Sequence, residues 1–221
     1  MTMFRDMLLA SGLVLALGGG AAFAQGQPAG AGKMVTLQMP ALPDPVRVTL
    51  NPATTALLVL DYVDPICKSQ PKCMGEMLPA LTSLMQRARK AGVVVAYGTR
   101  ERTMSSWLPE IAPAAGDIKI VSVAQDRFYN TDLDKVLKAK GVTTIIMAGW
   151  KVSGSVTYTS VGATVHDYTV VVPVDTTAAS TDYETAIGLF QILNQNSANA
   201  TNVPLKSKAS TLSRTDMITF Q

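Results

Sequence analysis

The feature that most constrains the fold is an alternation of short apolar runs with segments of helical periodicity. Five runs of four or five residues are almost entirely apolar, and they lie at 56–60, 93–97, 118–121, 144–148 and 169–173. Between or after them, apolar residues recur at helical spacing at 74–90, 132–140, 153–166 and 183–194. Runs this apolar are typical of strands covered on both faces. The alternation predicts an α/β domain in three layers, a Rossmann-like parallel sheet flanked by helices.

Individual residues indicate where the helices end and where further strands lie. Gly92 and Gly141 each follow the end of a helical segment that finishes in basic residues, which is typical of a helix stop. Two short edge strands are predicted before the first apolar run, at 34–38 and 46–50, because apolar and polar residues alternate there around a proline-rich break. A last strand is predicted within 215–220.

The first 24 residues are typical of an export signal. One arginine, Arg5, precedes an apolar run at 7–17, and Ala22-Phe23-Ala24 forms a small-x-small cleavage site before Gln25. We therefore expect cleavage after Ala24, a flexible leader at 25–33, a single domain at 34–221 and a periplasmic or secreted protein with no membrane attachment after cleavage. Retention of the apolar run as an anchor is the alternative.

The two cysteines of the chain, Cys67 and Cys73, lie within one short loop. In an exported chain this spacing favours a disulfide, with two unlinked thiols as the alternative. A loop this small would contribute about 2 kcal/mol to stability. A single histidine leaves too few soft ligands for a zinc site, so no metal is expected.

The distribution of charges and glycines limits the classes of binding partner that we expect. The 19 Lys and Arg residues and 16 Asp and Glu residues give a net charge of +3 and form no basic run, which argues against nucleic acid. Gly149 and Gly154 match neither a dinucleotide fingerprint nor a phosphate-binding loop. We expect a small-molecule ligand or substrate and no cofactor.

Ligands of open parallel sheets bind at the carboxyl ends of the strands, so the residues that follow the apolar runs are candidates. Asp61 follows the first run directly, where a carboxylate could transfer a proton or merely cap the strand end. Ser155 opens the helix after the fourth run, where a hydroxyl and helix N-terminal amides suit an oxyanion or serve as a cap. Trp150 and Lys151 lie in the same turn and are expected to reach the cleft. The only histidine, His166, lies about 16 Å from Ser155 if both are on one helix, too far for a triad.

Together these segments resemble the isochorismatase-like hydrolase family, also called the cysteine hydrolase superfamily. The matching stretches are 55–61, 128–137, 141–150 and 155–175. Enzymes of that family use an Asp at the end of the first strand, a Lys six positions before a loop Phe and a Cys six positions after the Gly of the fourth strand. Here Asp61 matches the first position, and serines, Ser122 and Ser155, stand at the other two. The resemblance implies catalytic positions at these three residues and a homo-oligomer. We expect a ligand site formed by Phe128, Trp150, Lys151 and Gly154, in which Lys151 matches no residue of the family pattern.

Replacement of the Lys and Cys changes the chemistry that the resemblance implies. In the similar enzymes the Lys cation stabilises a thiolate and the Asp accepts its proton. Without that cation and thiol, we expect weak or absent hydrolysis and binding of a small molecule. Two alternatives stay open. One is an active hydrolase of a small amide, ester or vinyl ether, with Asp61 as base, Ser155 as nucleophile and backbone amides near Gly154 and Ser155 as oxyanion donors; the other is an oligomeric structural protein.

Overall fold

The computed structural model describes Thr36, residues 38–100 and residues 106–221. The predicted export signal and leader, and most of the predicted strand at 34–38, lie outside the described residues. The few described residues before Ala41 have no regular secondary structure. Residues 41–221 form one unit, which carries the fold and the site.

The described residues contain nine strands in two sheets. In chain order they are β1 (Val48–Leu50), β2 (Thr55–Leu60), β3 (Val94–Thr99), β4 (Ile118–Val121), β5 (Thr144–Trp150), β6 (Thr169–Pro173), β7 (Thr177–Ala178), β8 (Ser210–Ser213) and β9 (Ile218–Phe220). The central sheet is parallel, with the order β4-β3-β2-β5-β6-β8 and with β7 beside the end of β5. The chain builds outward from β2 to β4 and then crosses to β5 and beyond. The carboxyl ends of β2 and β5 are therefore a topological switch point, where ligands bind in open α/β sheets.

In the described part of the chain five α-helices cover the sheet: α1 (Asp64–Cys67), α2 (Leu78–Ala91), α3 (Leu133–Ala139), α4 (Thr157–Val165) and α5 (Asp182–Asn194). Alternate side chains of β2 enter two separate cores. Leu57 and Val59 pack with the apolar face of α2, whereas Leu58 and Leu60 pack with apolar side chains of α3, α4 and α5. The predicted three-layer α/β fold is confirmed.

Most predicted elements agree with the structure to within a few residues, and both glycine stops have left-handed backbones, with φ of 81° at Gly92 and 72° at Gly141. Three predictions need correction. The predicted helices at 74–90 and 153–166 each begin as a π-helical turn, Cys73–Met77 and Val152–Val156, and become α-helical only in α2 and α4. The predicted last strand is shorter, and β9 pairs with β1 in a separate two-stranded sheet. In addition, two strands, β7 and β8, were not predicted.

The predicted disulfide between Cys67 and Cys73 is present, and both residues are fully buried. Cys67 ends α1, and Cys73 begins the π-helical turn Cys73–Met77 that leads into α2. The bridge therefore closes the loop that follows the end of β2. No helix in the described part of the chain is long and apolar enough to span a bilayer.

Candidate active site

Asp61 lies at the centre of the site, directly after β2. Its backbone is left-handed, with φ of 54°, and its N–H donates to the carbonyl of Gly98 on β3 at 3.1 Å. A left-handed conformation costs an ordinary residue on the order of 1 kcal/mol and is found where the surrounding structure enforces it. This turn ends the strand and leaves Asp61 only 8% exposed.

Three side chains donate to the Asp61 carboxylate. Oδ2 accepts from Nη2 of Arg127 at 2.6 Å and from Oγ of Ser155 at 2.8 Å. Oδ1 accepts from Oγ1 of Thr99 at 3.2 Å. The donors come from the loop after β4, from the turn before α4 and from the end of β3, so three segments that are distant in sequence converge on one carboxylate.

Arg127 corrects the expectation that Asp61 lacks a cation. Its side chain is 1% exposed, and its second terminal nitrogen, Nη1, donates to the carbonyl of Ala124. A buried carboxylate needs such a partner, because an unpaired buried charge is costly. The family pattern directs attention to position 122, but the cation enters five residues later, directly before Phe128. A single arginine in the loop between the third and fourth apolar runs was the available sequence signal.

Gly98 makes room for this arginine. A Cβ at Gly98 would lie 2.9 Å from Cγ of Arg127 and 2.9 Å from Cδ2 of Leu60, distances that real side chains do not show. The absence of a side chain on this residue of β3 lets the arginine stem pass across the sheet to Asp61.

Ser122, predicted at a catalytic position, has a different set of contacts. Its Oγ donates to the carbonyl of Asp126 at 3.3 Å and accepts the N–H of Ala124 at 3.1 Å. Its own N–H donates to the carbonyl of Thr99. These bonds shape the loop that carries Arg127, and none of the hydrogen bonds found to Asp61 comes from Ser122.

Ser155 is 2% exposed and lies in the π-helical turn after β5. Its single hydroxyl proton has two acceptors in reach, Oδ2 of Asp61 at 2.8 Å and the carbonyl of Trp150 at 3.0 Å. Of the amides near Gly154 and Ser155 that were expected to act as oxyanion donors, that of Gly154 is already engaged, because its N–H donates to the carbonyl of Lys151 at 2.9 Å. The Trp150–Lys151 peptide bond is cis.

A cavity of about 420 Å³ opens above Asp61 and Ser155. Of the residues predicted as ligand-binding, Trp150, Lys151 and Gly154 line it. Phe128 does not: it is 5% exposed, and its ring stacks on that of His166 at a centroid distance of 5.0 Å. Arg100 and Ser153, which also follow strand ends, line the cavity as well, whereas Ile66, Gln125 and Tyr158 were not predicted.

Lys151 lies at the wall of this cavity in a salt bridge with Glu184, near the start of α5. The hydrogen bond from Lys151 lowers the pKa of the Glu184 carboxyl.

In the part of the chain that the structure describes, no cluster of three or more His, Cys, Asp or Glu side chains is arranged to hold a metal ion.

A carboxylate, a buried cation and a hydroxyl at the switch point of a parallel sheet define an α/β protein with the layout of a hydrolase site. The isochorismatase domain matches residues 55–202, which is 148 of the 221 residues, and the chain belongs to that family. The resemblance noted in the sequence is thereby confirmed.

Curated relatives match only in part. The chain is 31% identical over 70 residues to a ureidoacrylate amidohydrolase of Rhizobium rhizogenes, covering 32% of this chain and 27% of that enzyme. A ureidoacrylate amidohydrolase of Methylobacterium radiotolerans is 26% identical over 175 residues, covering 56% of this chain and 67% of that enzyme. The chain thus spans about a quarter of the length of the first relative and two thirds of the other.

Solved structures share the fold. A cysteine hydrolase from Pseudomonas syringae pv. phaseolicola has a TM-score of 0.63 at 20% identity, covering 78% of this chain and 94% of that one. N-carbamoylsarcosine amidase from Thermoplasma acidophilum has a TM-score of 0.61 at 22% identity, covering 74% and 97%. At these identities the likeness shows the fold alone.

Proposed function

We propose that the protein is an exported hydrolase of small acyl compounds, esters above all, with Ser155 as nucleophile and Asp61 as general base. The observation that carries the proposal is the 2.8 Å hydrogen bond from Oγ of Ser155 to Oδ2 of Asp61 at the cavity. A nucleophile within hydrogen-bond reach of its base, with the base oriented by a third group, is the arrangement that nucleophilic catalysis requires.

The steps follow from this geometry. Oγ of Ser155 attacks the acyl carbon while its proton passes to Asp61. The bond to the leaving group breaks, the leaving oxygen takes the proton from Asp61, and an acyl-serine remains. A water molecule then attacks the acyl carbon as Asp61 accepts its proton, and Ser155 recovers that proton when the acid product leaves. Arg127 holds Asp61 in position as a fixed positive charge, because a guanidinium does not exchange its protons in this chemistry.

Esters suit this site better than amides. A serine hydroxyl is much less acidic than a thiol, so its attack is harder to activate and the substrate must be more reactive. An ester releases an alcohol from the intermediate readily, whereas an amide releases an amine only after full protonation. The curated relatives are named as amidohydrolases, and we expect the opposite preference here.

Binding without turnover is the second candidate, and the saturation of Asp61 favours it. Both carboxylate oxygens already accept hydrogen bonds, and Oδ2 accepts two. To take a proton, Asp61 must weaken one of these bonds. If that cost is too high, the cavity holds a small molecule and performs no chemistry on it.

The test combines a fluorophosphonate probe with hydrolysis of small aryl esters and the matching anilides. We expect the probe to label Ser155, and ester hydrolysis to fall at least about 100-fold in Ser155→Ala and in Asp61→Asn. Ser160→Ala is the matched control, since Ser160 is a buried serine on α4 that does not line the cavity. Ser155→Cys should gain anilide hydrolysis without any change at Ser122, because Arg127 already pairs with Asp61. Absence of labelling and turnover, with small-molecule binding retained, would establish the second candidate.

Export is proposed on two grounds, the signal-like pattern of residues 1–24 and the disulfide between Cys67 and Cys73. N-terminal sequencing of protein recovered from the cell envelope or the medium should begin at Gln25.

Assembly into a homo-oligomer is proposed on the resemblance, with light scattering of the mature chain as its test. A monomer at micromolar concentration would refute it and would remove the structural alternative.

A further inference from the structure

The charges that line the cavity are unequal. Among the described lining residues, the charged side chains are one carboxylate, Asp61, and two cations, Arg100 and Lys151. The negative charge of Asp61 is paired with the positive charge of Arg127, which is buried and does not line the cavity. Lys151 also has a counter-charge, Glu184, which does not line the cavity, so a ligand meets the positive group of that pair and not the negative one.

Lys151 is a lining cation that is placed to act on a ligand. It follows β5 directly, its side chain is 35% exposed, and its salt-bridge partner Glu184 is not part of the lining. An ammonium carries three N–H donors, and a single carboxylate contact does not use them all. A second carboxylate that enters the cavity can share Lys151 with Glu184 or displace it.

The rest of the lining suits a short chain or small ring with a polar end. Trp150 and Ile66 supply apolar surface, while Gln125 and Ser153 supply polar groups. Oγ of Ser153 is buried and has no hydrogen-bond partner among the described residues. The volume of about 420 Å³ is at the small end of ligand sites.

We infer that the cavity takes a small acyl substrate that carries a carboxylate, and that this carboxylate pairs with Lys151 in competition with Glu184. The inference rests on the proposed function, because it names the substrate class of the same site. The inference predicts opposite effects of two substitutions: loss of Lys151 weakens binding of the anion, and loss of the Glu184 charge strengthens it.

The experiment measures binding by calorimetry on Ser155→Ala protein, which cannot form the acyl-enzyme. The ligands are monomethyl glutarate and dimethyl glutarate, which differ in one carboxylate. We expect the monoester to bind about tenfold more tightly. Adding Lys151→Met should abolish that preference, and Glu184→Gln should raise affinity for the monoester severalfold while leaving the diester unchanged. Lys119→Met is the matched control, an exposed lysine of β4 that does not line the cavity.

Equal binding of the two ligands, or a Glu184→Gln variant that binds the monoester no more tightly, would overturn the inference. Hydrolysis of both ligands by the unmodified protein, measured in parallel, separates the two proposals. A preference for the anion without hydrolysis would leave the anion site standing and refute the hydrolase. Hydrolysis without a preference for the anion would support the hydrolase and refute the anion site.

Discussion

Replacing Arg127 with methionine tests whether the buried ion pair holds the site together. The Arg127 side chain is 1% exposed and that of Asp61 11%, and the two charged groups are 2.6 Å apart. Methionine keeps an unbranched stem beside Gly98 but removes the charge, which leaves a buried carboxylate with only hydroxyl donors from Thr99 and Ser155. Breaking a buried pair in this way costs roughly 3–5 kcal/mol of unfolding free energy.

The companion changes isolate the pair itself. Asp61→Asn alone leaves the guanidinium buried without its counter-charge and should also be strongly destabilising. Arg127→Met combined with Asp61→Asn removes both charges, so the double variant should lose less than the sum of the single losses. We expect a coupling free energy of at least about 2 kcal/mol.

Urea unfolding of the four proteins near neutral pH, with the disulfide intact, measures these free energies. Lys138→Met is the control, because the Lys138–Asp134 pair has a similar distance, 2.9 Å, but a lysine side chain that is 52% exposed. Such a pair contributes about 0.5 kcal/mol. If Arg127→Met costs no more than this control, or if the two single losses simply add, the buried pair does not stabilise the site.

Three further predictions concern the surroundings of the site. Gly98→Ala should cost about 1–3 kcal/mol of unfolding free energy by displacing Arg127, whereas Gly75→Ala, with open space around its Cβ, should change stability by less than about 0.5 kcal/mol in the same urea assay. Replacing Cys67 and Cys73 with alanine should lower the free energy of unfolding by about 2 kcal/mol, and an unchanged urea midpoint would contradict this. Burial raises the pKa of the Asp126 carboxyl above its ordinary 3.8, so ionisation of this group opposes folding and its cost appears as the pH rises through that range. Asp126→Asn should therefore gain stability relative to the unchanged protein between pH 4 and pH 7, and a difference that shrinks with rising pH would refute the sign.

The sheet was predictable where its strands are covered on both faces, because such strands must be apolar along their whole length. The strand β8 lacks that signal, since three of the four residues of Ser210–Ser213 are serine or threonine, and yet all four are buried. The side chain of Asn202 accepts the N–H of Leu212 at 2.7 Å and donates to its carbonyl at 3.0 Å, so it supplies backbone hydrogen bonds on the outer edge of β8. An asparagine ten residues away that takes the place of a neighbouring strand leaves no periodic pattern in the sequence.

The site was predictable only where a residue follows a strand directly. Asp61 and Ser155 are placed by the ends of β2 and β5, so the rule for parallel sheets brings them together. Arg127 lies in an irregular loop, where the hydrogen bonds of Ser122 to Ala124 and Asp126 decide which side chain turns towards Asp61. Periodicity carries no information about such a loop.

The cation beside Asp61 is an arginine at position 127 and not a lysine at position 122, and this difference affects the proposed chemistry. Arg127 bonds the Ala124 carbonyl with one terminal nitrogen and Asp61 with the other, so its planar fork fixes the carboxylate in one orientation. A lysine ammonium can lose a proton when it is buried, but a guanidinium cannot. In the proposed mechanism every transferred proton therefore passes through Asp61, which also has to activate an alcohol. One proton carrier and a weakly acidic nucleophile together demand a substrate whose leaving group departs easily, and this is the physical basis for expecting esters before amides.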